Sequence, residues 1–307
     1  MATHHKPSAV WRNQPYVLSG VAFLSLVYIF ITYRSAAISH ESVSAKKLFV
    51  ILCTLALPEI IIWCIATVAT LRFKQYAHSI RASADGRAMS LIANALLLMM
   101  VYVILLTMAG TMVTLSKNTG HLHLAVTLGD YLPLAVALAA AGYFFAGGLR
   151  LNKLVPVRLR QRTRLLLVGT FTVIATLYVW DFHNHVPTLK GHDGIPQFAQ
   201  SIDVLVYTYA IPYVIVWALG VYACISIANY SRHTKGTIYR EMLGNFYRGV
   251  LLVFICTFLA QLLVESDINL EHFSFLLFLI YCLLLAAVIG FTLIYHASAR
   301  LQSLEKV

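Results

Sequence analysis

Charged side chains are scarce in this sequence. Only 11% of its 307 residues are Asp, Glu, Lys or Arg, whereas a soluble globular domain carries about 25%. Hydrophobic residues make up 60% of the chain, and its mean hydropathy is +0.77. Because so few charges cannot cover a protein surface in water, the composition excludes a soluble domain and predicts a protein embedded in lipid.

Several motifs that define catalytic and cofactor-binding proteins are also missing. The chain has neither the GxxxxGK loop that binds nucleotide phosphates nor a GxSxG nucleophile elbow. No Lys or His lies in the middle of an apolar run, which excludes a retinal Schiff base and a haem held between two histidines. Five cysteines lie within apolar runs without metal-binding spacing, and we interpret them as packing residues. We therefore predict no membrane cofactor and favour a protein that is not an enzyme.

The apolar residues are grouped into runs long enough for membrane helices. A helix needs about 20 apolar residues to cross a hydrocarbon core that is about 30 Å thick. The runs are continuous rather than alternating, which excludes the strands of a membrane barrel. They are Pro15–Tyr33, Leu48–Leu71, Ser90–Leu115, Leu124–Gly147, Leu165–Trp180, Asp203–Ala228, Tyr247–Val264 and Phe273–Tyr295. We predict an all-α integral membrane protein with about eight transmembrane helices, of which the first is retained.

Basic residues concentrate in every second connection between these runs, and the formal net charge of the chain is +11. By the positive-inside rule, this pattern places both termini in the cytoplasm and the chain in the cell (inner) membrane. The most basic stretch, 150–164, is typical of a topology determinant, with an anionic-lipid contact as the alternative. Since the basic residues lie at many membrane borders and form no continuous face, we predict no nucleic-acid partner.

A pattern in the first half of the chain recurs in the second half. In each half, Trp follows a Pro by five residues, Tyr follows it by eighteen, and an Asn lies in the next predicted helix. The matched residues are Pro58, Trp63, Tyr76 and Asn94, and Pro212, Trp217, Tyr230 and Asn245. Self-similarity of this kind indicates duplication. We predict two tandem four-helix halves, 1–149 and 165–307, joined by a basic linker at 150–164. Because each half has an even number of spans, both halves have the same orientation, as in a parallel repeat.

Glu59 is the sharpest functional candidate. It lies about halfway along the second predicted span, directly after Pro58, whose ring leaves a backbone carbonyl without its hydrogen bond. A carboxyl group at this depth is costly unless it is neutral or paired. One interpretation is a proton or cation site on a kinked helix, and the other is a neutral Glu bonded to a neighbouring carbonyl or Tyr. The matched residue in the second half is Tyr213, so the two halves do not supply identical ligands.

Other polar residues complete the set of transport or ion-binding candidates. Asp130 lies at the outer start of the fourth span, where it could pair with a His of the preceding loop. Asn94 and Asn245 are matched by the repeat and suit hydrogen bonds between helices. Pro58 and Pro212 are predicted to be matched kinks.

The predicted outer connections are rich in His and carboxylates. The fifth connection begins with Asp181, His183 and His185 and continues to His192. Imidazole and carboxylate are suitable ligands for a divalent metal such as Zn, and His also titrates near neutral pH. The string is compatible with a metal site, a pH sensor or a set of solvated loop residues.

These features predict a small transporter or channel for protons, cations or a small polar solute, with its passage between the two halves. The first alternative is a sensor or receptor module whose outer His and acid residues signal through a separate partner. The second is a scaffold or assembly subunit without a ligand, and a membrane metal hydrolase ranks last. The lipid bilayer is one predicted partner, and a second copy or a larger membrane complex is another.

Overall fold

The fold was analysed in a computed structural model. The structure describes residues 9–39, 53, 56–116, 129, 131–156, 161–185, 201–234, 237–265 and 273–304. Within these ranges the chain is almost entirely helical and has no strand. The predicted all-α class is confirmed for this part of the chain.

The helices lie close to the predicted apolar runs. They are α1 (Ala9–Ser39), α2 (Leu57–Ser79), α3 (Ala84–Ser116), α4 (Leu132–Leu154), α5 (Gln161–His185), α6 (Ile202–His233), α7 (Thr237–Glu265) and α8 (Phe273–Leu304). Helix α6 is continuous but contains a π-helical turn at Val206–Ala210. Helices α2, α4 and α6 terminate at the same end of the bundle. We call it the inner end, because the predicted orientation places it in the cytoplasm, and we call the opposite end the outer end.

Five of the described helices contain a segment that is long and apolar enough to cross a membrane. These segments are Ala84–Leu106, Leu132–Leu154, Gln161–Asn184, Ile202–His233 and Tyr281–Ser303. Helix α1 contributes a shorter apolar segment, Pro15–Ile31. Helix α7 begins with a charged stretch that includes Arg240, Glu241 and Arg248, which shortens its apolar part. Five such segments fit a multi-pass membrane protein.

A proline marks the start of three helical segments. Pro58, Pro133 and Pro212 each occupy the first turn of their segment, and the residue before the segment is already helical. Proline has no N–H to donate and its ring collides with the carbonyl four residues earlier, so the preceding turn must widen. The residues in such wide, π-helical turns include Ala56, Tyr131 and Val206–Ala210. The predicted proline distortions thus take the form of π-helical turns.

The helices pack in a network with a shared centre. Helix α3 lies along α4, and α7 lies along α8. Helix α2 packs on α3 and α8, whereas α6 packs on α4 and α7. Helix α1 contacts α2 and α3, and α5 contacts α6 together with its π-helical turn. At the centre, Phe73 of α2 stacks on Phe246 of α7 with ring centroids 4.2 Å apart.

The helices extend beyond their predicted limits, as α4 and α5 show. Helix α5 continues from the predicted end at Trp180 to His185, so Asp181 and His183 are helical and do not begin a loop. The basic stretch 150–164 is likewise partly helical, because α4 ends at Leu154 and α5 begins at Gln161. Hydropathy detects only the apolar part of a helix, whereas backbone hydrogen bonding continues into the polar interface.

Candidate functional site

Glu59 lies in the first turn of α2 and is joined to α1. The hydroxyl of Tyr28 donates a hydrogen bond to Glu59 Oε2, and the carboxyl is half-buried while Tyr28 is buried. Trp63 lies one turn further along the same face of α2, and its ring centroid is 5.0 Å from that of Tyr28. We call Tyr28, Glu59 and Trp63 the carboxyl cluster. The bond is compatible with both interpretations of Glu59, a proton or cation site and a neutral structural carboxyl.

The donor to Glu59 is a neutral phenol rather than a cation. A carboxyl oxygen accepts a hydrogen bond from a phenol whether the carboxyl is charged or protonated. The interhelical link between Tyr28 and Glu59 is therefore compatible with both protonation states. Chemically, the carboxyl cluster can take up and release a proton without losing this connection between α1 and α2.

The matched position in the second half has a different chemistry. Tyr213, which is 154 residues after Glu59, is buried, and its hydroxyl oxygen lies 3.5 Å from that of Tyr102 in α3. Trp217 contacts Tyr178 of α5 with ring centroids 4.5 Å apart. We call Tyr178, Tyr213 and Trp217 the phenol cluster. A Trp thus contacts a Tyr of the peripheral helix in both clusters.

Two tyrosines of these clusters, Tyr28 of α1 and Tyr178 of α5, were not predicted from the sequence. Tyr28 and Tyr178 are 150 residues apart, close to the spacing of the other matched residues. Gly20 and Gly169, eight and nine residues before them, differ by 149 positions. An alignment of the first and fifth apolar runs on these glycines brings the two tyrosines to within one position of each other.

A cavity of about 40 Å³ lies beside the phenol cluster, between α3, α4, α6 and α7. Its walls include the side chains of Tyr102, Tyr213 and Thr257, which carry hydroxyl groups, together with apolar residues such as Phe144. The surface that faces the cavity is almost entirely apolar, and such a cavity stays dry unless polar groups turn towards it. Glu59 is not among the residues that line it.

Gly220 shapes the wall of this cavity. A Cβ atom at this position would lie 2.2 Å from Cε2 of Phe254 in α7, so only glycine allows the ring to pack against α6. The residue 154 positions earlier is Ala66, and the residue 151 positions before Phe254 is Val103. In the first half, the residue on the second helix (Ala66) is thus larger than Gly220, and the residue on the third helix (Val103) is smaller than Phe254.

The other transport candidates are more dispersed. Pro58 and Pro212 begin their helical segments and are half-buried. Asn94 is half-buried in α3, whereas Asn245 Oδ1 accepts a hydrogen bond of 3.3 Å from Arg248 Nη1 in the same helix. The bond of Asn245 thus lies within α7. The hydrogen bond expected from the sequence would instead join two helices. Asp130 lies outside the described residues.

The His-rich string gives one contact between helices. His183 Nε2 of α5 lies 3.6 Å from Asp203 Oδ1 near the start of α6, and both side chains are exposed. His185 is the last residue of α5, and His192 lies outside the described residues. Within the described part of the chain, no three His, Cys, Asp or Glu side chains are grouped to hold a metal ion. The sequence analysis did not select Asp203, the partner that the structure gives to His183.

Comparison with protein families, curated proteins and solved structures finds no match for this chain. A functional assignment therefore depends on the contacts of its own side chains. Among these, the carboxyl cluster combines a half-buried acid, a contact between helices and a proline-distorted backbone.

Proposed function

We propose that the protein is a small transporter or channel that moves protons, cations or a small polar solute across the cell membrane, with Glu59 as its ionisable group. The observation that supports this function is the hydrogen bond between Tyr28 and Glu59, next to the proline-distorted start of α2. Ionisable side chains within membrane helices are expensive and commonly mark ion or proton pathways. A distorted helix also offers backbone carbonyls as ligands for a cation.

We further propose that all eight helices cross the membrane as two related halves, α1–α4 and α5–α8. The pattern of packing supports this relation, because most contacts of one half have a counterpart when the halves are exchanged. The pairs are α3–α4 with α7–α8, α2–α8 with α6–α4, α2–α3 with α6–α7, and α1–α2 with α5–α6. With four spans in each half, both have the same orientation and both termini are cytoplasmic.

Two contacts near the inner end support the same exchange. Tyr76 of α2 shares a hydrogen bond with the hydroxyl of Tyr239 near the start of α7. Tyr230 of α6 is the matched residue of Tyr76, and it is hydrogen-bonded with Asp85 near the start of α3. Each half therefore sends a tyrosine from its second helix to the third helix of the other half.

The proposed passage lies between the halves, where residues of α3 and α4 and of α6 and α7 line the cavity beside Tyr213. Because Glu59 does not line this cavity, transport requires a second conformation in which water reaches the carboxyl. The Glu59 carboxyl would bind a proton more tightly in one conformation than in the other. Its protonation would therefore shift the equilibrium between the two conformations. Pro58 and Pro212 would act as the matched hinges.

Flux through reconstituted protein tests this function. We expect proteoliposomes containing the wild-type protein and a trapped pH-sensitive dye to show proton movement when a membrane potential is applied. The Glu59→Gln variant should lose this flux, because an amide accepts the bond from Tyr28 but does not carry a proton. Glu241→Gln, at an exposed position of α7, is the matched control and should retain it.

Three outcomes of this experiment argue against the proposal. Flux of the wild-type protein that is unchanged in Glu59→Gln would remove Glu59 from the mechanism. Equal loss in Glu59→Gln and Glu241→Gln would indicate general damage rather than a specific site. Absence of flux of protons, sodium and potassium through the wild-type protein would favour a scaffold or assembly subunit.

A membrane sensor is the second candidate, and the contact between His183 and Asp203 favours it. This contact joins α5 to the start of α6, close to the π-helical turn. A sensor of this kind would pass its signal to a separate protein on the cytoplasmic side. Co-purification of a cytoplasmic partner with the wild-type protein, and its loss in a His183→Gln variant, would support this candidate.

A further inference from the structure

A basic groove of about 510 Å³ opens at the inner end, between the end of α6 and the start of α7. Arg232 lies on the α6 side, and Arg240 and Arg248 lie on the α7 side. Glu241 is the one acidic residue among those that line it. The groove therefore carries an excess of positive charge, which would attract an anion.

The arginines of the groove are arranged rather than scattered. Arg240, Gly244 and Arg248 are four residues apart and share one face of α7, and Gly244 has no side chain to fill the space between the two guanidinium groups. Asn245 accepts a hydrogen bond from Arg248 Nη1 at 3.3 Å, which orients that guanidinium. Ser231 Oγ donates to the backbone carbonyl of Arg240 at 3.4 Å and thereby connects the two walls.

These guanidinium groups retain donors for a ligand. Among the described residues, no carboxylate lies within ion-pair distance of Arg232, Arg240 or Arg248. A guanidinium offers paired N–H donors with the geometry that phosphate oxygens prefer. The groove therefore suits an oxyanion such as a phosphate group better than a halide ion.

The matched positions in the first half show that the fold does not require these arginines. Met89 and Leu97 stand 151 residues before Arg240 and Arg248, and His78 stands 154 residues before Arg232. Met89 is fully buried in the core of the bundle. The arginines of the groove therefore have no counterpart at the matched positions of the first half.

The apolar surface beyond the groove indicates which phosphate compound it binds. Ile255 and Leu259 are seven and eleven residues after Arg248, on the same face of α7, and both are exposed. A ligand with its phosphate at Arg240 and Arg248 could thus extend an apolar chain along α7. A soluble phosphate would leave this surface unused.

We propose that the groove binds the headgroup of an anionic phospholipid of the inner leaflet, with its acyl chains along α7. The inference rests on the membrane orientation proposed above and is independent of transport by Glu59. Lipid bound here would lie between α6 and α7 and hold the second half of the bundle at the inner surface. The closing experiment measures binding without flux, so the two proposals can fail separately.

Lipid binding to the purified full-length protein tests the proposal. The probes are phosphatidylglycerol, phosphatidylcholine and inorganic phosphate, with bound lipid counted by native mass spectrometry. We expect the double variant Arg240→Gln/Arg248→Gln to bind phosphatidylglycerol more weakly by roughly fivefold for each arginine removed. The matched control is Arg81→Gln/Arg87→Gln, which removes the same charge at exposed positions of the inner end, outside the groove, and should bind like the wild-type protein.

A second variant separates charge from geometry and covers the case in which the first variant does not fold. Arg240→Lys/Arg248→Lys keeps the charge but loses the paired donors, and we expect its affinity to fall between those of wild type and the glutamine variant. Equal affinities of the groove and control variants for phosphatidylglycerol would overturn the proposal. It would also be overturned if phosphatidylcholine bound equally well, or if inorganic phosphate bound as tightly as phosphatidylglycerol.

Discussion

The carboxyl cluster and the phenol cluster occupy matched places in the chain but differ in chemistry. In each cluster a Trp follows the proline-distorted helix start and contacts a Tyr of the peripheral helix. In the first, Glu59 accepts a bond from that peripheral Tyr28. In the second, Tyr213 has no carboxyl, faces Tyr102 instead and borders a cavity. The two clusters therefore share a Trp–Tyr contact and differ at one position, which is Glu59 in the first cluster and Tyr213 in the second.

The inner end shows the same relation between framework and function. In the first half, the residue that matches Arg240 is the buried Met89. In the second half, three arginines border an open groove. If the two proposals hold, the matched positions of the chain carry a carboxyl group in the first half and a basic groove in the second.

Removal of the tryptophans should have the largest effect on stability. Trp63 and Trp217 are both buried, and substitution of a buried Trp by Ala costs about 3 kcal/mol or more in free energy of unfolding. We expect Trp63→Ala and Trp217→Ala to be similarly destabilised in denaturant titrations of the protein in mixed micelles. A loss several times greater for one variant would show that the two clusters are not equivalent in packing.

An exchange at Gly220 tests where the halves differ. Gly220→Ala should destabilise the protein by about 1 to 3 kcal/mol, because the new methyl group collides with the ring of Phe254. The double variant Gly220→Ala/Phe254→Val reproduces the matched pair Ala66 and Val103 and should recover part of this loss. The free energy of unfolding of both variants is the measurement. Gly169→Ala is the control, because nothing lies within 4 Å of its added Cβ. Failure of the second substitution to recover any stability would contradict the collision.

Removal of single hydroxyl groups should have the smallest effect. Tyr28→Phe removes the donor to Glu59 and should lower the free energy of unfolding by about 1 kcal/mol. Tyr213→Phe should lower it less, because a hydroxyl separation of 3.5 Å is long for an O–H···O bond. Thermal or denaturant unfolding of the two variants under one condition gives the comparison. A larger loss in Tyr213→Phe would mean that the phenol cluster is the more tightly bonded of the two.

Local patterns in the sequence predicted the helices and part of the candidate site. Pro58 and Pro212 begin helical segments because proline distorts any helix in the same way, wherever it packs. Hydropathy located α5 but not its end, since Asp181 and His183 continue the helix without being apolar. For the same reason the predicted loop at these residues was wrong.

Contacts between distant residues could not be predicted in this way. Tyr28 lies 31 residues before Glu59, and His183 lies 20 residues before Asp203. Which side chains meet depends on how each helix is rotated and on how closely its neighbours approach. In an apolar chain that information is weak, because a helix that is hydrophobic on every face has no distinct buried side.

The sequence by itself determined that this protein is helical and suited to a membrane. Its many apolar residues and few charges favour lipid over water as the surroundings. In lipid, a backbone is stable when its hydrogen bonds are made within helices. It also determined the matched order of Pro, Trp and Tyr along the chain. Only the tertiary structure decided that Tyr28 bonds Glu59, that Phe254 requires Gly220, and that the arginines of α6 and α7 border one groove. Those contacts arise from close packing between helices, which fixes distances that no local pattern encodes.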